Sequence, residues 1–254
     1  MRRTAPATPV RDVRGWLFDL DGVLTPTADV HMRAWARLFA PYLAACGAAP
    51  YDDRDYYQQI DGRPRYDGVR SVLASRSIQI PEGHPGDPVT ADTVCGLGNR
   101  KNEAFNEVLA REGVTAYPGS VAFLDSVLTN GSQVAVVSSS QNAPRVLEAA
   151  GLSDRFAIVI DGRRAAEAGL RGKPHPDTYL RAADLLGLRP ADCAVVEDAD
   201  SGIRAGVAGG FGLVVGVDRG VGHAALLVLG ADTVVDDLNE LVPLLSDSDS
   251  DSDS

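Results

Sequence analysis

The hydrophobic positions of this chain change their pattern near residue 113. Beyond that point, short apolar runs alternate with stretches of helical periodicity, which is typical of a parallel sheet covered by helices on both faces. Another apolar run ends at Asp19 and predicts the first strand of the same sheet. The later apolar runs predict strands at 133–138, 156–160, 194–196, 213–217 and 233–235. The periodic stretches predict helices at 120–128, 143–150, 176–186, 201–208 and 238–245.

The stretch between the first strand and residue 113 contains no convincing buried strand over about 80 residues. Its apolar residues recur at helical spacing and predict helices at 29–46, 55–60, 66–76 and 91–111. So long an interruption between two strands is best explained by a helical insertion that folds as its own small domain. We therefore predict an α/β fold: a Rossmann-like parallel sheet with helices on both faces, and a small all-helical cap inserted after the first strand.

The domain boundaries are predicted from the same patterns. The α/β core is discontinuous and comprises residues 13–27 and 113–245, whereas the helical cap comprises residues 28–112. Residues 1–12 contain prolines and scattered polar groups, and we predict a loose leader there. Residues 246–254 alternate Ser and Asp, a low-complexity composition that predicts disorder.

Composition narrows the classes of function. The chain has 254 residues and a formal net charge of −11. This acidic balance argues against nucleic acid and anionic membranes as partners, because both need a basic surface. No apolar run reaches the length of a membrane span. Cys46, Cys95 and Cys193 form no Cys-x-x-Cys pair, so neither a disulfide framework nor a zinc site is indicated. We expect a cytoplasmic monomer that binds neither nucleic acid nor a membrane.

The first strand delivers two acidic residues, Asp19 and Asp21, which are followed by Gly22. Alternation along a strand places positions i and i+2 on the same side of the backbone. The carboxyl ends of parallel strands are the edge at which α/β sheets bind ligands. Two carboxylates crowded there repel each other unless a cation or a proton compensates them. The pair is therefore the first candidate for chemistry.

Three later segments place polar groups at the same predicted edge. The run Ser-Ser-Ser-Gln-Asn at 138–142 suits a phosphate oxygen, because helix N-terminal amides are unpaired donors, although a plain helix N-cap uses the same residues. Lys173 precedes a proline, so an extended loop presents it as a counter-charge for phosphate and carboxylate. An ordinary solvated lysine is the alternative. Glu197 and Asp198 directly follow an apolar strand, as the first acidic pair does.

These acids suggest a metal and a reaction. Asp19, Asp21 and Asp198 would make an oxygen-rich site that suits Mg²⁺, with Glu197 as a further or outer ligand. The chemistry indicated is phosphoryl transfer to a carboxylate, in which one aspartate attacks and the other serves as general acid and base. No G-x-S-x-G elbow or nucleotide P-loop is present, which argues against a serine hydrolase and against an NTPase.

The order of these groups resembles the haloacid dehalogenase-like (HAD) phosphotransferase superfamily. The matching groups are Asp19-x-Asp21-Gly22-Val23, Ser138, Lys173-Pro174 and Glu197-Asp198. The match spans essentially the whole chain, and the helical insertion resembles the helical cap of this superfamily. Within it the chain is similar to the β-phosphoglucomutase-like subfamily. Additional matches are His31, Ala34-Trp35 and the segments 61–70, 98–102 and 138–142.

The resemblance implies a role for each matching residue. Asp19 would be the nucleophile and Asp21 the general acid and base. Mg²⁺ would be held by Asp19, the backbone carbonyl of Asp21, and Asp198, with the neighbouring Glu197 as a further or outer ligand. Ser138 and Lys173 would bind the transferring phosphate. His31 and Lys101 would help to close the cap, and Arg65, in competition with Arg63, would bind the distal phosphate. The remaining residues assigned to phosphate or substrate binding are Gly22, Thr25, Ser140 and Asn142. An exposed helical His31 and solvated Arg65 and Lys101 are the alternatives in the cap.

The resemblance also implies a reaction on a small-molecule sugar phosphate. We expect Mg²⁺-dependent conversion of β-D-glucose 1-phosphate to D-glucose 6-phosphate through β-glucose 1,6-bisphosphate and an aspartyl phosphate. The alternative is a phosphatase for sugar phosphates or other small phosphomonoesters that uses the same core and admits water. A third hypothesis, a non-catalytic phosphosugar-binding module, is disfavoured because the full set of acids is present.

Overall fold

The computed structural model describes residues 7–246. The predicted disordered tail from residue 247 onward and residues 1–6 of the predicted leader lie outside this range. The rest of the leader is not loose as predicted. The Thr8 amide donates to the carbonyl of Gly212 at 2.8 Å, and a 3-10 turn follows at Val10–Asp12. The hydrogen bond of Thr8 attaches the segment to the loop that precedes the fifth strand.

Within the described residues the sheet has six parallel strands in the order β3-β2-β1-β4-β5-β6. The strands are β1 Gly15–Phe18, β2 Gln133–Val137, β3 Ile158–Ile160, β4 Cys193–Glu197, β5 Leu213–Val217 and β6 Thr233–Val235. The central strands β1, β4 and β5 are buried along their whole length, as expected when helices cover both faces. The predicted fold class is confirmed.

The helices of the core cover the two faces of this sheet. They are α5 Pro118–Thr129, α6 Ala143–Ala149, α7 Gly162–Glu167, α8 Asp177–Leu185, α9 Asp200–Ala208 and α10 His223–Leu229, with 3-10 segments at Ser153–Arg155, Pro190–Asp192 and Leu238–Leu245. Alternate residues of β1 contribute to different hydrophobic clusters. Trp16 and Phe18 pack with Phe123 on one face, and Leu17 packs with Tyr179 on the other.

Four helices fill the interval between β1 and α5. They are α1 Thr27–Ala45, α2 Asp53–Asp55, which continues into a π-helix at Tyr56–Ile60, α3 Arg65–Ala74 and α4 Val94–Glu112. This region has a hydrophobic cluster of its own, in which the rings of Trp35 and Phe39 stack with centroids 5.5 Å apart. The predicted helical insertion is therefore present, and its helices pack around a hydrophobic cluster that is separate from those of the sheet.

Several elements differ from the sequence prediction. Helices α7 and α10 were not predicted, because the only apolar side chains of α7 are two adjacent alanines and α10 is apolar at every position after His223, so neither shows an apolar face at helical spacing. The strand expected from residue 156 begins only at Ile158. The helix expected at 238–245 is a 3-10 segment with Pro243 inside it, where an α-helix would lose a backbone hydrogen bond.

The strand order places β1 between β2 and β4, so the chain proceeds to opposite sides of β1. In α/β sheets a crevice opens at the carboxyl end of such a switch point. Asp19 and Asp21 follow the carboxyl end of β1 and therefore lie at this crevice. In the described part of the chain, no helix combines the length and hydropathy required to cross a membrane.

The aromatic contacts of β1 give a stability prediction. Phe123 is fully buried, and its ring lies edge-on to Trp16 with centroids 4.8 Å apart. Phe123→Ala removes this packing and leaves a cavity, so we expect the free energy of unfolding to fall by about 3–5 kcal/mol in urea titrations. Val228→Ala, at a side chain that is 87% exposed, should change it by less than about 0.5 kcal/mol. A similar small effect for both variants would contradict the packing role.

Candidate active site

The loop after β1 is tightly closed around the paired aspartates. The Asp19 amide donates to the carbonyl of Val196 at 2.9 Å, which extends the pairing of β1 with β4. Gly22 has φ of +84°, and its amide donates to the carbonyl of Thr25 at 2.8 Å. A Cβ at Gly22 would lie 1.8 Å from Oδ2 of Asp198. Glycine is thus needed for the turn and for the close approach of the second acidic pair.

Hydroxyl groups orient the Asp21 carboxylate. The Thr27 hydroxyl donates to Oδ1 of Asp21 and also lies 2.8 Å from the Thr25 hydroxyl. Oδ2 of Asp21 faces the Ser138 hydroxyl at 3.5 Å. Thr25, which the resemblance assigned to substrate binding, is instead fully buried with its hydroxyl directed at the carbonyl of Leu20. Its contribution in the structure is to support Thr27, a residue that the sequence analysis did not select.

Lys173 holds two carboxylates from different strands. Its ammonium group donates to Asp19, to Oε1 of Glu197 at 2.5 Å and to the carbonyl of Val137 at 3.0 Å. Burial opposes the charge of Lys173, but the neighbouring Asp19 and Glu197 raise its pKa above the ordinary value. The Tyr179 hydroxyl also donates to Oε1 of Glu197 at 2.7 Å. Lys173 is therefore a fixed cation in contact with the candidate nucleophile.

The acidic residues fit a hard divalent cation. Single carboxylate oxygens of Asp19, Glu197 and Asp198 lie within 4.8 Å of one another. Burial and the charges of neighbouring acids raise the pKa of Asp198 well above its ordinary value. The pKa of Asp19 is also raised, by burial and by Glu197 and Asp21, despite its contact with Lys173. These crowded carboxylates have too little positive charge beside them to balance their own. Mg²⁺ would supply that charge, and oxygen atoms are the ligands that it prefers.

Two basic residues of the cap face this acidic edge. Nζ of Lys101 lies 2.5 Å from Nδ1 of His31, and Nε2 of His31 lies 3.5 Å from Oδ1 of Asp21. Burial and mutual repulsion lower the pKa of His31, and burial and the charge of Arg65 lower that of Lys101. The Lys101 ammonium lies 5.0 Å from the ring centroids of both Trp35 and Phe105, which favours retention of its charge.

The environment of Asp21 favours its ionised form. Burial by itself would raise the pKa of Asp21. The nearby His31 and Lys101, together with the hydrogen bond from Thr27, instead lower the pKa to about 2. An aspartate that is ionised at neutral pH is able to accept a proton.

A second group of cap and core residues is joined by hydrogen bonds. Arg65 and Asn142 both donate to Oδ1 of Asn102, at 2.8 and 2.7 Å respectively. Oγ of Ser140 accepts from the Asn142 amide at 3.1 Å. The loop 138–142 and the cap helices α3 and α4 therefore meet at Asn102, which lies in a segment that carried the resemblance but was not assigned a role.

One cavity, with an empty volume of about 610 Å³ including its mouth, contains most of the predicted site. The predicted residues that line it are Asp19, Asp21, His31, Arg65, Lys101, Ser140, Asn142, Glu197 and Asp198. Gly22 and Thr25 do not line it. Ser138 and Lys173 line an adjoining groove instead, although both contact the aspartates directly. Arg63, the competitor of Arg65, also lines the cavity.

The cavity includes an acid that the sequence analysis missed. Asp61 lines it from the cap, together with Tyr56. Burial and the charge of Glu197 raise the pKa of Asp61 to about 7, even though the Tyr56 hydroxyl hydrogen-bonds it. In the sequence, Asp61 lies in the Asp-Gly-Arg-Pro segment that was interpreted as a connection between helices. Its inclusion in a segment that matched the subfamily was the one available signal.

Comparison with known proteins places this geometry in a family. A family model described as haloacid dehalogenase-like hydrolase matches residues 13–210. A Mycobacterium bovis protein named β-phosphoglucomutase is 49% identical over 242 residues, which cover 91% of this chain and 92% of the relative. Hexitol phosphatase A of Escherichia coli is 33% identical over 199 residues, covering 78% of this chain and 80% of the relative.

A solved structure agrees with these relatives. The crystal structure of β-phosphoglucomutase from Clostridium difficile matches with a TM-score of 0.74 and 27% identity, covering 90% of this chain and 93% of that one. The chain therefore belongs to the haloacid dehalogenase-like family. Within the family it is an enzyme of the β-phosphoglucomutase-like phosphotransferase type, and the resemblance found in the sequence motifs is confirmed.

The raised pKa of Asp61 predicts how stability depends on pH. The folded chain retains this proton up to about pH 7, whereas the unfolded chain loses it near the ordinary value of 3.8. The folded state thus binds more protons between these values, and wild-type stability falls as the pH rises through that window. Asp61→Asn removes this loss, so with a chelator present the variant should exceed the wild type at pH 8 by up to about 4 kcal/mol in urea unfolding.

The control for this measurement is Asp154→Asn, because Asp154 is an exposed residue of the α/β part of the chain. Its stability should follow that of the wild type at both pH 5 and pH 8. An Asp61→Asn variant that loses stability in parallel with the wild type between these pH values would show that Asp61 does not retain its proton in the folded chain.

Proposed function

We propose that this enzyme is a Mg²⁺-dependent β-phosphoglucomutase that converts β-D-glucose 1-phosphate to D-glucose 6-phosphate through an aspartyl phosphate and β-glucose 1,6-bisphosphate. The observation that carries the proposal is the composition of this cavity. It combines the aspartate pair of the core with the cap cations Arg65 and Lys101. A bisphosphorylated sugar would thus find counter-charge at the core end from Lys173, which contacts Asp19, and at the cap end from these two cations.

In the proposed reaction, an oxygen of Asp19 attacks the phosphorus and the bond from phosphorus to the sugar oxygen breaks. Lys173 neutralises charge beside the attacking carboxylate, and Ser138 donates to the transferring phosphate. Asp19, the backbone carbonyl of Asp21, and Asp198 would hold Mg²⁺, which when bound supplies the remaining charge neutralisation. Glu197 accepts hydrogen bonds from Lys173 and Tyr179. It would orient the neighbouring acidic residues and act as an outer ligand of the metal site.

Asp21 moves the proton in both directions. In the half-reaction that consumes the phosphoenzyme, ionised Asp21 accepts the proton of the attacking sugar hydroxyl. In the reverse sense it returns that proton to the leaving oxygen. Thr27 supports this role because its hydroxyl fixes the carboxylate in place, and the low pKa keeps Asp21 ionised before the proton arrives.

The second candidate is a phosphatase for sugar phosphates or other small phosphomonoesters. It is favoured by the similarity to hexitol phosphatase A, which extends over 80% of that relative. The same core would serve, and water would replace the sugar hydroxyl as the acceptor of the phosphoryl group.

The proposal also includes the organisation of the enzyme. Residues 28–112 act as a cap over a core of residues 13–27 and 113–245, and the separate hydrophobic cluster of the cap supports this division. The substrate is a small sugar phosphate, and we propose that the enzyme acts as a monomer in the cytoplasm.

The test is an assay with β-glucose 1-phosphate, Mg²⁺ and a trace of glucose 1,6-bisphosphate, in which glucose 6-phosphate and released phosphate are measured together. We expect glucose 6-phosphate to account for most of the substrate consumed. Asp19→Asn should lower the rate by about 10⁴-fold or more, because the nucleophile is lost. Asp21→Asn should lower it by about 10²–10⁴-fold, the usual contribution of a general acid and base.

The exposed Asp154→Asn variant is the matched control and should retain activity within about twofold. Phosphate release equal to substrate loss in the wild type would replace the mutase by the phosphatase. No turnover in the wild type, with sugar-phosphate binding that Asp19→Asn leaves unchanged, would exclude both and restore the binding-module hypothesis.

A further inference from the structure

The cap contacts the core at the cap loop, which we define as residues 61–64. The Ser139 hydroxyl donates to the carbonyl of Gly62 at 2.7 Å. The Ser201 hydroxyl donates to the carbonyl of Asp61 at 3.3 Å. Two core serines, one after β2 and one in the first turn of α9, thus bind consecutive carbonyls of the cap.

The fit around these bonds is tight. Gly62 has φ of +67°, and a Cβ there would lie 2.0 Å from Oγ of Ser201. A third core segment also meets the cap loop, because a Cβ at Gly172 would lie 2.5 Å from Cγ of Pro64. Neither glycine tolerates a side chain without displacement of the loop. The contact is therefore specific to one position of the cap.

The cap loop also forms part of the cavity wall. Asp61, Gly62 and Arg63 line the cavity together with Asp19, and Ser139 lines it from the core side. Movement of the loop away from the two serines would open this wall and admit water to Asp19. Ser201 does not line the cavity, so any effect of its hydroxyl on the reaction acts through the cap loop.

We propose that Ser139 and Ser201 form a hydroxyl latch that decides whether the aspartyl phosphate is transferred to the sugar or to water. This inference rests on the proposed function. In both outcomes the bond between phosphorus and Asp19 breaks, a new bond forms from phosphorus to the acceptor oxygen, and the acceptor proton passes to Asp21. A sugar hydroxyl gives the bisphosphate, and water gives inorganic phosphate. The latch favours the sugar because it keeps the wall closed around a bound substrate.

The size of the effect follows from the strength of a neutral hydrogen bond. Loss of one such bond changes an equilibrium by about fivefold. Ser139→Ala or Ser201→Ala should therefore shift the cap toward its open position by about fivefold, and the double variant by about 20-fold if the two effects are nearly independent.

The experiment measures released phosphate and glucose 6-phosphate in one reaction with β-glucose 1-phosphate, bisphosphate primer and Mg²⁺. The ratio of phosphate to glucose 6-phosphate should rise about fivefold in each single variant and about 20-fold in the double variant. The matched control is Ser132→Ala, which removes a hydroxyl that donates to the distant carbonyl of Val13 at 3.1 Å, within the core. Its ratio should equal that of the wild type.

A second measurement uses no sugar. The phosphoenzyme is formed from acetyl phosphate, and its hydrolysis is followed in a single turnover. Ser201→Ala should accelerate this decay by about fivefold, and Ser132→Ala should leave it unchanged. Parallel loss of both products at a constant ratio, with an unchanged decay rate, would refute the latch. A wild type that forms no glucose 6-phosphate would refute the proposed function, and the decay rates would still decide on the latch.

Discussion

The placement of Lys173 between Asp19 and Glu197 is the interaction on which the site depends. These carboxylates come from different strands and are buried at one edge of the sheet. Buried like charges are costly, and removal of one partner from such a group leaves an uncompensated charge. One lysine cannot balance Asp19, Glu197 and Asp198 together, and the raised pKa values of Asp19 and Asp198 reflect this shortage. The core is therefore built to accept further positive charge.

The cap supplies part of that charge and closes the site. His31 and Lys101 face Asp21, whereas Arg65 reaches the core through Asn102 and Asn142. Because these basic residues belong to the cap and the acidic residues belong to the core, the charges balance each other fully only when the cap and the core are in contact. The hydrogen bonds from core serines to the cap loop act at the same boundary. The position of the cap and the charges around the aspartates are thus linked by direct contacts.

Much of the fold was predictable because local patterns agree with the tertiary structure. The strands after residue 113 are continuous apolar runs, and the aspartates directly follow β1. The misses have physical causes. Helices α7 and α10 show no apolar face at helical spacing, and the 238–245 segment contains Pro243. The motif match led Thr25 to be assigned to substrate binding, although its buried hydroxyl supports Thr27.

The sequence by itself determined the acids, the lysine and their positions at strand ends, because a parallel sheet collects such ends at one edge. Only the tertiary structure decided which cap groups face them. Asp61 and the serine contacts to the cap loop depend on how the cap loop meets three separate core segments, and pairs such as Ser201 and Asp61 are 140 residues apart. No local pattern carries that information. The pKa of Asp61 likewise depends on burial and on Glu197, a neighbour that only the folded chain brings close.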